Sequence, residues 1–300
     1  MKECTLFGEE YSYLVPLLLR KKDQGHVHSI FTNGFNIKMD DSLIFIGNKK
    51  NGLLPFGIHL QEEDIFKSIS HVRNGETVFW NEITNSLEFP AISIRIEKGH
   101  SYKNELSSLK NNLVFESGFE RLCSQLTTLN ALTGLDVNIQ IFLNKLKDTG
   151  ERNWLGIEPY LMMLIEAAMS NDEYLIDKTL RYFLGRGKGL TPSGDDLIVG
   201  LLAFDAISHF ISTQFYKQLS MLLESEPITT DVSREYLRYA ARHEFSSSVT
   251  ELVNLLANGD TANFQHTFKN LLGVGHSSGL DTIFGILIGM LAFKKQTNNN

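Results

Sequence analysis

Residues 187–196 read GKGLTPSGDD and run directly into the apolar stretch LIVGLL, residues 197–202. The first ten positions hold three glycines, a proline, two hydroxyls and two carboxylates. Thr191-Pro192-Ser193-Gly194 has the chemistry of a turn. Ser193, followed three residues later by Asp196, has the spacing of a capping box, so a helix is expected to start there. Upstream, Gly187 and Gly189 admit positive φ and close backbone approach. Free N–H groups and the positive end of the helix dipole would then face any cavity in front of the turn, which outlines a cradle for an anion.

The device occurs twice. SGDDLIVGLL from Ser193 and SGLDTIFGIL from Ser278, 85 residues further on, share Ser, Gly, Asp, Ile, Gly and Leu at the same offsets. Gly273 and Gly275 precede the second copy as Gly187 and Gly189 precede the first, with the spacing changed by one residue. Two glycine turns, each starting an unusually apolar helix, predict two buried central helices whose N-termini face one cleft. Structure alone accounts for either turn taken singly, since caps and glycine turns are common punctuation and Gly200, Gly285 and Gly289 suit close helix packing. The duplication tips the pair toward a site.

The candidate catalytic residues are His276, Asp196 and Asp281. His276 can act as a general acid or base, can hydrogen-bond an anionic ligand, or can satisfy a neighbouring carbonyl. Asp196 and Asp281 hold equivalent places in the repeat. As charges at helix N-termini they would each contribute about 0.3–1 kcal/mol. As functional groups they would bind a cation or accept protons, and facing carboxylates would raise one pKa. Asp195 has no acidic counterpart, because Leu280 stands in its place. The substrate-binding candidates are Gly187, Gly189, Thr191, Ser193, Gly194, Asp195, Gly275, Ser277, Ser278 and Gly279, with Arg186 and Lys188 adding positive charge at the first turn.

Outward from these turns, the chain changes character near residue 104. Before it, HVHSIFTNGFNIKM, DDSLIFIGNKK and ETVFWNEITNSLEFPAISIRI alternate β-formers with turn signals, Asn33-Gly34 among them. After it, helical spacing dominates, as in YLMMLIEAAM, YLIDKTLRYFL and VTELVNLLANG. The expected fold is α+β: a strand-rich N-terminal domain, 1–103, followed by a mainly helical domain, 104–300, that carries the two glycine-turn helices. Pro227, Thr229 and Thr230 sit in a loop feeding a helix capped by Asp231 or Ser233.

Composition excludes several classes. A formal net charge of −7, with Arg20-Lys21-Lys22 as the one basic run, argues against nucleic acid. The longest apolar run, Ile283 to Phe293, is 11 residues against the roughly 20 a membrane span needs. No signal peptide is read at the N-terminus, and two distant cysteines, Cys4 and Cys123, indicate neither disulfides nor a thiolate metal site, so a cytoplasmic protein is expected. Lys188 lies before the turn, so the P-loop pattern fails, and no G-x-S-x-G elbow occurs. His26 and His28, two apart on a strand, would share a face but lack further ligands, and no metal site is read.

GRGKGLTPSGDDLIVGLLAF and GVGHSSGLDTIFGILIGM resemble the two signature segments of a bacterial family, long labelled a domain of unknown function, that includes the AllH-type subunit of oxamate carbamoyltransferase. The likeness covers residues 184 to 292 in patches and the strand-rich half only in general pattern. Lys188 departs from it, standing where a small residue or proline is expected. The resemblance implies carbamoyl transfer between phosphate and an oxamate-like amide in allantoin and purine nitrogen catabolism, with a small anionic substrate and other carbamoyltransferase subunits as partners. It names no cofactor. The alternative is a non-catalytic or anion-sensing subunit using the same turns.

Overall fold

The computed structural model describes residues 4–20, 22–96, 98–147 and 153–299; Lys21 of the short basic run lies outside them. The chain divides into two compact units, Met1–Glu105 and Leu106–Asn300.

The first unit is built on strands β1 (Cys4–Phe7), β2 (Glu10–Ser12), β3 (Gln24–Phe31), β4 (Gly34–Met39), β5 (Ser42–Gly47), β6 (Gly57–His59), β7 (Thr77–Asn81), β8 (Ser86–Glu88), β9 (Ile92–Arg95) and β10 (His100–Tyr102), with helices α1 (Val15–Leu19) and α2 (Glu62–His71). Their order across the sheet is β1-β9-β8-β7-β3-β4-β5-β6-β2-β10. Only Gly8 and Glu9 separate β1 from β2, although β1 stands first in that order and β2 next to last. Two linking residues reach about 11 Å at most from Phe7 to Glu10, so the ends of the sheet must meet. They do: the Gly8 N–H bonds the Arg95 carbonyl and the Glu9 N–H bonds the His59 carbonyl, both at 2.8 Å. β1 lies parallel to β9, and β2 parallel to β10. Pairing therefore forms a closed circuit, and the sheet is a barrel.

Its interior is filled by Phe35, Ile37, Ile44, Ile46, Val78 and Ile94, all fully buried. The β3–β4 hairpin turns on Thr32 and Asn33, since Phe31 pairs with Gly34. Asn33-Gly34 is therefore not the turn pair. Gly34 serves the next strand instead: a β-carbon there would stand 2.3 Å from the Ile46 carbonyl oxygen. A bulge at His28, where Val27 pairs with Ile37 but Ser29 with Asn36, breaks the alternation expected to place His26 and His28 on one face.

His59 is fully buried inside this unit. Its Nδ1 lies 3.1 Å from the Asn48 carbonyl, and its Nε2 accepts from the Leu54 N–H at 3.3 Å. That assignment makes the ring a neutral Nδ1–H tautomer. The Tyr102 hydroxyl, 3.0 Å from Nε2, donates to the Leu54 carbonyl at 2.5 Å. The ring and the phenol together pin the loop between β5 and β6.

The second unit comprises α3 (Asn112–Thr128), α4 (Ile139–Lys147), α5 (Glu158–Met169), α6 (Glu173–Phe183), α7 (Ser193–Ser208), α8 (Thr213–Ser225), α9 (Asp231–Ala240), α10 (Ser247–Asn258), α11 (Phe264–Leu272) and α12 (Ser278–Asn299). Its two apolar helices behave as the repeat predicts. Almost every residue of α7 from Ser193 to Ile207 is buried, so this helix has no solvent face and occupies the centre. It packs on α12 backbone to backbone. A β-carbon at Gly200 would stand 2.0 Å from the Thr282 carbonyl oxygen, and one at Gly285 would stand 2.0 Å from the Leu197 carbonyl oxygen.

The repeat extends to the preceding helices. A β-carbon at Gly194 would meet the Phe183 carbonyl of α6 at 2.0 Å, and one at Gly279 would meet the Leu271 carbonyl of α11 at the same distance. Each copy is thus a helix, a glycine turn and a buried helix. The flanking helices are amphipathic, with Ile176, Thr179, Leu180 and Phe183 turned inward on α6 and Asp172 capping it through the Tyr174 and Leu175 N–H groups.

Candidate functional site

In front of the two glycine turns lies a cavity of about 1040 Å³. Gly187, Gly189, Thr191 and Ser193 line it from the first turn, and Gly275, His276, Ser277 and Ser278 from the second. The backbone explains the glycines. Gly187, Gly189 and Gly275 have φ of +127°, +88° and +64°, and a β-carbon at Gly187 would also strike the Ser193 nitrogen at 2.5 Å.

The capping expectation fails in an informative way. α7 starts at Ser193, but its N-cap is Pro192, with no side-chain cap bond. The N–H groups of Asp195 and Asp196 bond the Pro192 carbonyl, and that of Gly194 bonds the Arg186 carbonyl at 2.8 Å. These N–H groups are therefore already taken and do not form the open cradle that the sequence suggested. Ser193 instead pairs its hydroxyl with Asp281 of α12, while Ser278 of α12 pairs its hydroxyl with Asp196 of α7. Each copy turns a hydroxyl to the other copy's carboxylate. Thr191 joins the exchange, its Oγ1 3.0 Å from Ser278 Oγ.

A third loop, absent from the sequence-based candidates, completes the lining: Ala131 to Gly134 with Asp136, between α3 and α4. The Gly134 N–H donates to Asp281 Oδ1 at 2.8 Å. A β-carbon at Gly134 would stand 2.0 Å from Ser193 Oγ, 2.7 Å from Ser277 Oγ and 2.8 Å from Asp281 Oδ2. Gly134 is thus required by space.

The three aspartates divide by role. Asp195 is fully buried and points away from the cavity: its Oδ1 accepts from the Gly185 N–H at 2.8 Å, and its Oδ2 accepts from Ser233 Oγ at 2.7 Å and from Thr229. It ties the first turn to α9. Thr230, not Asp231 or Ser233, caps that helix, accepting from the Ser233 N–H at 3.0 Å. Asp196 and Asp281 stand behind the lining hydroxyls. Burial pushes Asp196 well above the usual carboxylate range, the Asp281 and Asp195 charges add to this, and the Ser278 and Thr191 hydroxyls oppose it. Burial likewise raises Asp281, against the Ser193 hydroxyl, the Gly134 N–H and the Ser277 hydroxyl. These contacts leave Oδ2 of both Asp196 and Asp281 buried without a hydrogen-bond partner.

Positive charge at the mouth is uneven. Lys188 and His276 line the cavity and are exposed. Arg186 is committed elsewhere: its Nε donates to the Tyr182 carbonyl at 2.6 Å and its guanidinium lies 3.9 Å from the Tyr182 ring centroid. Gly194 and Gly279 serve helix packing, as described above.

Two family models match the chain: the oxamate carbamoyltransferase subunit AllH over residues 183–290, and the AllH family N-terminal domain over residues 9–102. The second match shows that the strand-rich half resembles the family in more than general pattern. No solved structure matches the chain. With both signature turns inside one match and strands β2 to β10 inside the other, the chain belongs to the AllH family of oxamate carbamoyltransferase subunits.

Proposed function

We propose that the cavity at the twin turns binds the small anions of a carbamoyl transfer, carbamoyl phosphate and an oxamate- or oxalurate-like amide, and that the chain works with other carbamoyltransferase subunits in allantoin and purine nitrogen catabolism in the cytoplasm. The observation that carries the reading is the convergence of both repeats, through Thr191, Ser193, Ser277 and Ser278, on one cavity that also receives Lys188 and His276. In the transfer, the amide nitrogen attacks the carbamoyl carbon, the C–O bond to phosphate breaks and the amide nitrogen gives up a proton. Orientation of the two anions supplies much of the acceleration. Lining hydroxyls and Lys188 stabilise charge on the carbamoyl oxygen and the departing phosphate. His276, exposed at the mouth, takes the proton in this reading.

Calorimetry and thermal shift with carbamoyl phosphate, phosphate, oxamate and oxalurate test this. A ligand at 100 times its Kd raises stability by about 2.7 kcal/mol. A saturable shift for carbamoyl phosphate that is lost in Lys188→Ala supports the reading. His276→Ala then separates catalysis from sensing: with the partner subunits added, a catalytic role predicts binding retained and turnover lost. Unchanged turnover would make this an anion-sensing subunit.

A further inference from the structure

The floor of the cavity poses an electrostatic problem. Two carboxylates, Asp281 buried and Asp196 partly buried, stand behind the surface on which an anionic substrate would rest, and the lining offers Lys188 and His276 against them. Asp281 is 1% exposed, yet its Oδ2 has no hydrogen-bond partner, and Oδ2 of Asp196 is buried in the same condition at the equivalent place of the other copy. Buried polar atoms are almost always partnered, so the coincidence at twin positions needs a cause. Asp195 rules out a general shortage of donors, since both of its oxygens are satisfied.

The unpartnered oxygen of Asp281 belongs to a cluster of oxygens packed against Gly134. Ser193 Oγ, Ser277 Oγ and Asp281 Oδ2 converge within 2.8 Å of the point that a β-carbon on Gly134 would occupy, and Gly134, Ser193 and Ser277 all line the cavity. All of these donors are oxygens, with no nitrogen or sulfur among them, which suits a hard cation and not zinc. Among the described residues no group of three or more His, Cys, Asp or Glu could hold a metal by itself. A partial set of one or two carboxylates fits the habit of Mg²⁺, which keeps waters and takes the rest of its ligands from a phosphate.

We infer that Asp281, with the Ser193 and Ser277 hydroxyls, forms the protein half of a site for one hard divalent cation of the Mg²⁺ class, Asp196 supplying the second negative charge across the helix pair. The cation turns an acidic floor into a surface that attracts an anion. Its further role, bridging Asp281 to the substrate's phosphate, rests on the function proposed above; the site itself does not.

The test uses the whole chain, stripped with EDTA and titrated with Mn²⁺, the unbound ion being read by electron paramagnetic resonance and Mg²⁺ added as competitor. One Mn²⁺ per chain, displaced by Mg²⁺, is expected. Asp281→Asn, nearly isosteric, is expected to abolish it, and Asp196→Asn to weaken it about 10-fold. Gly134→Ala places a methyl group among the Ser193, Ser277 and Asp281 oxygens and is expected to abolish binding with both carboxylates intact. Absence of Mn²⁺ binding to folded wild-type protein, or binding unchanged in Asp281→Asn, overturns the site. Mn²⁺ binding without any response to carbamoyl phosphate or phosphate keeps the site and sinks the functional reading. Equal carbamoyl phosphate binding in EDTA and in Mg²⁺ overturns the bridging role and leaves the functional reading standing.

Discussion

His59 has no part in the cavity, yet its burial makes folding sensitive to acid. Burial is the main reason that its pKa falls from 6.5 to about 4, partly offset by the Asn48 carbonyl and the Glu10 charge. A proton on Nε2 would also face the Leu54 N–H, which now donates to that atom. The unfolded chain therefore binds this proton more readily than the folded one. Its contribution is fully present above pH 6.5 and is lost as pH falls from 6.5 to about 4, in all on the order of 3 kcal/mol. Chemical denaturation of wild type and His59→Gln across that window checks this. The wild-type slope is expected to exceed the variant's by up to about 1.4 kcal/mol per pH unit, and parallel slopes would mean that the folded ring protonates normally. At this scale only part of the site is legible in the sequence. Thr191, Ser193, Ser277, Ser278 and His276 reach one cavity as the glycine turns suggested. Gly134 went unnoticed because what requires glycine there is the approach of Ser193 and Asp281, distant in sequence.

Among the elements, α7 and α12 are the clearest case of chemistry spelled out locally. Their apolar character on all sides and the matched Gly200 and Gly285 are visible in the sequence, and both follow from burial at the centre. The contact makes a sharp prediction. Gly200→Ala would bring a methyl group within 2.0 Å of the Thr282 carbonyl and 2.9 Å of the Gly285 Cα, so the helices must separate. A loss of about 3 kcal/mol or more is expected on thermal unfolding. At Gly289 the nearest atom to an added methyl is the Phe204 Cβ at 3.1 Å, and Gly289→Ala is expected to cost nearer 1 kcal/mol. Equal effects would mean that the helix pair yields more easily than its packing implies. What the sequence concealed was the partnership of Ser193 and Asp196. A spacing of three reads as an interaction inside one helix, and the exchange with α12 becomes visible only when two copies of the motif face each other.

For the whole molecule, charge and topology set the remaining expectations. With a formal net charge of −7, a small anion approaches against the overall field. Salt screens that field, so the association rate of carbamoyl phosphate is expected to rise with ionic strength, the reverse of an electrostatically guided ligand. Stopped-flow measurement over a salt series decides it; a falling rate would mean that Lys188 dominates locally. The barrel shows where pattern reading stops. Alternating strands predict a sheet, but nothing local announces that β1–β2 lies beside β9–β10, because that pairing joins segments some ninety residues apart. Its closure also bears on self-association. An open sheet ends in unpaired strands on which further copies can polymerise into fibres, whereas a ring of strands presents only short rims, such as β1 with four residues and β10 with three. Such rims template poorly, and the barrel gives a concentrated solution of this protein little to nucleate a fibre on.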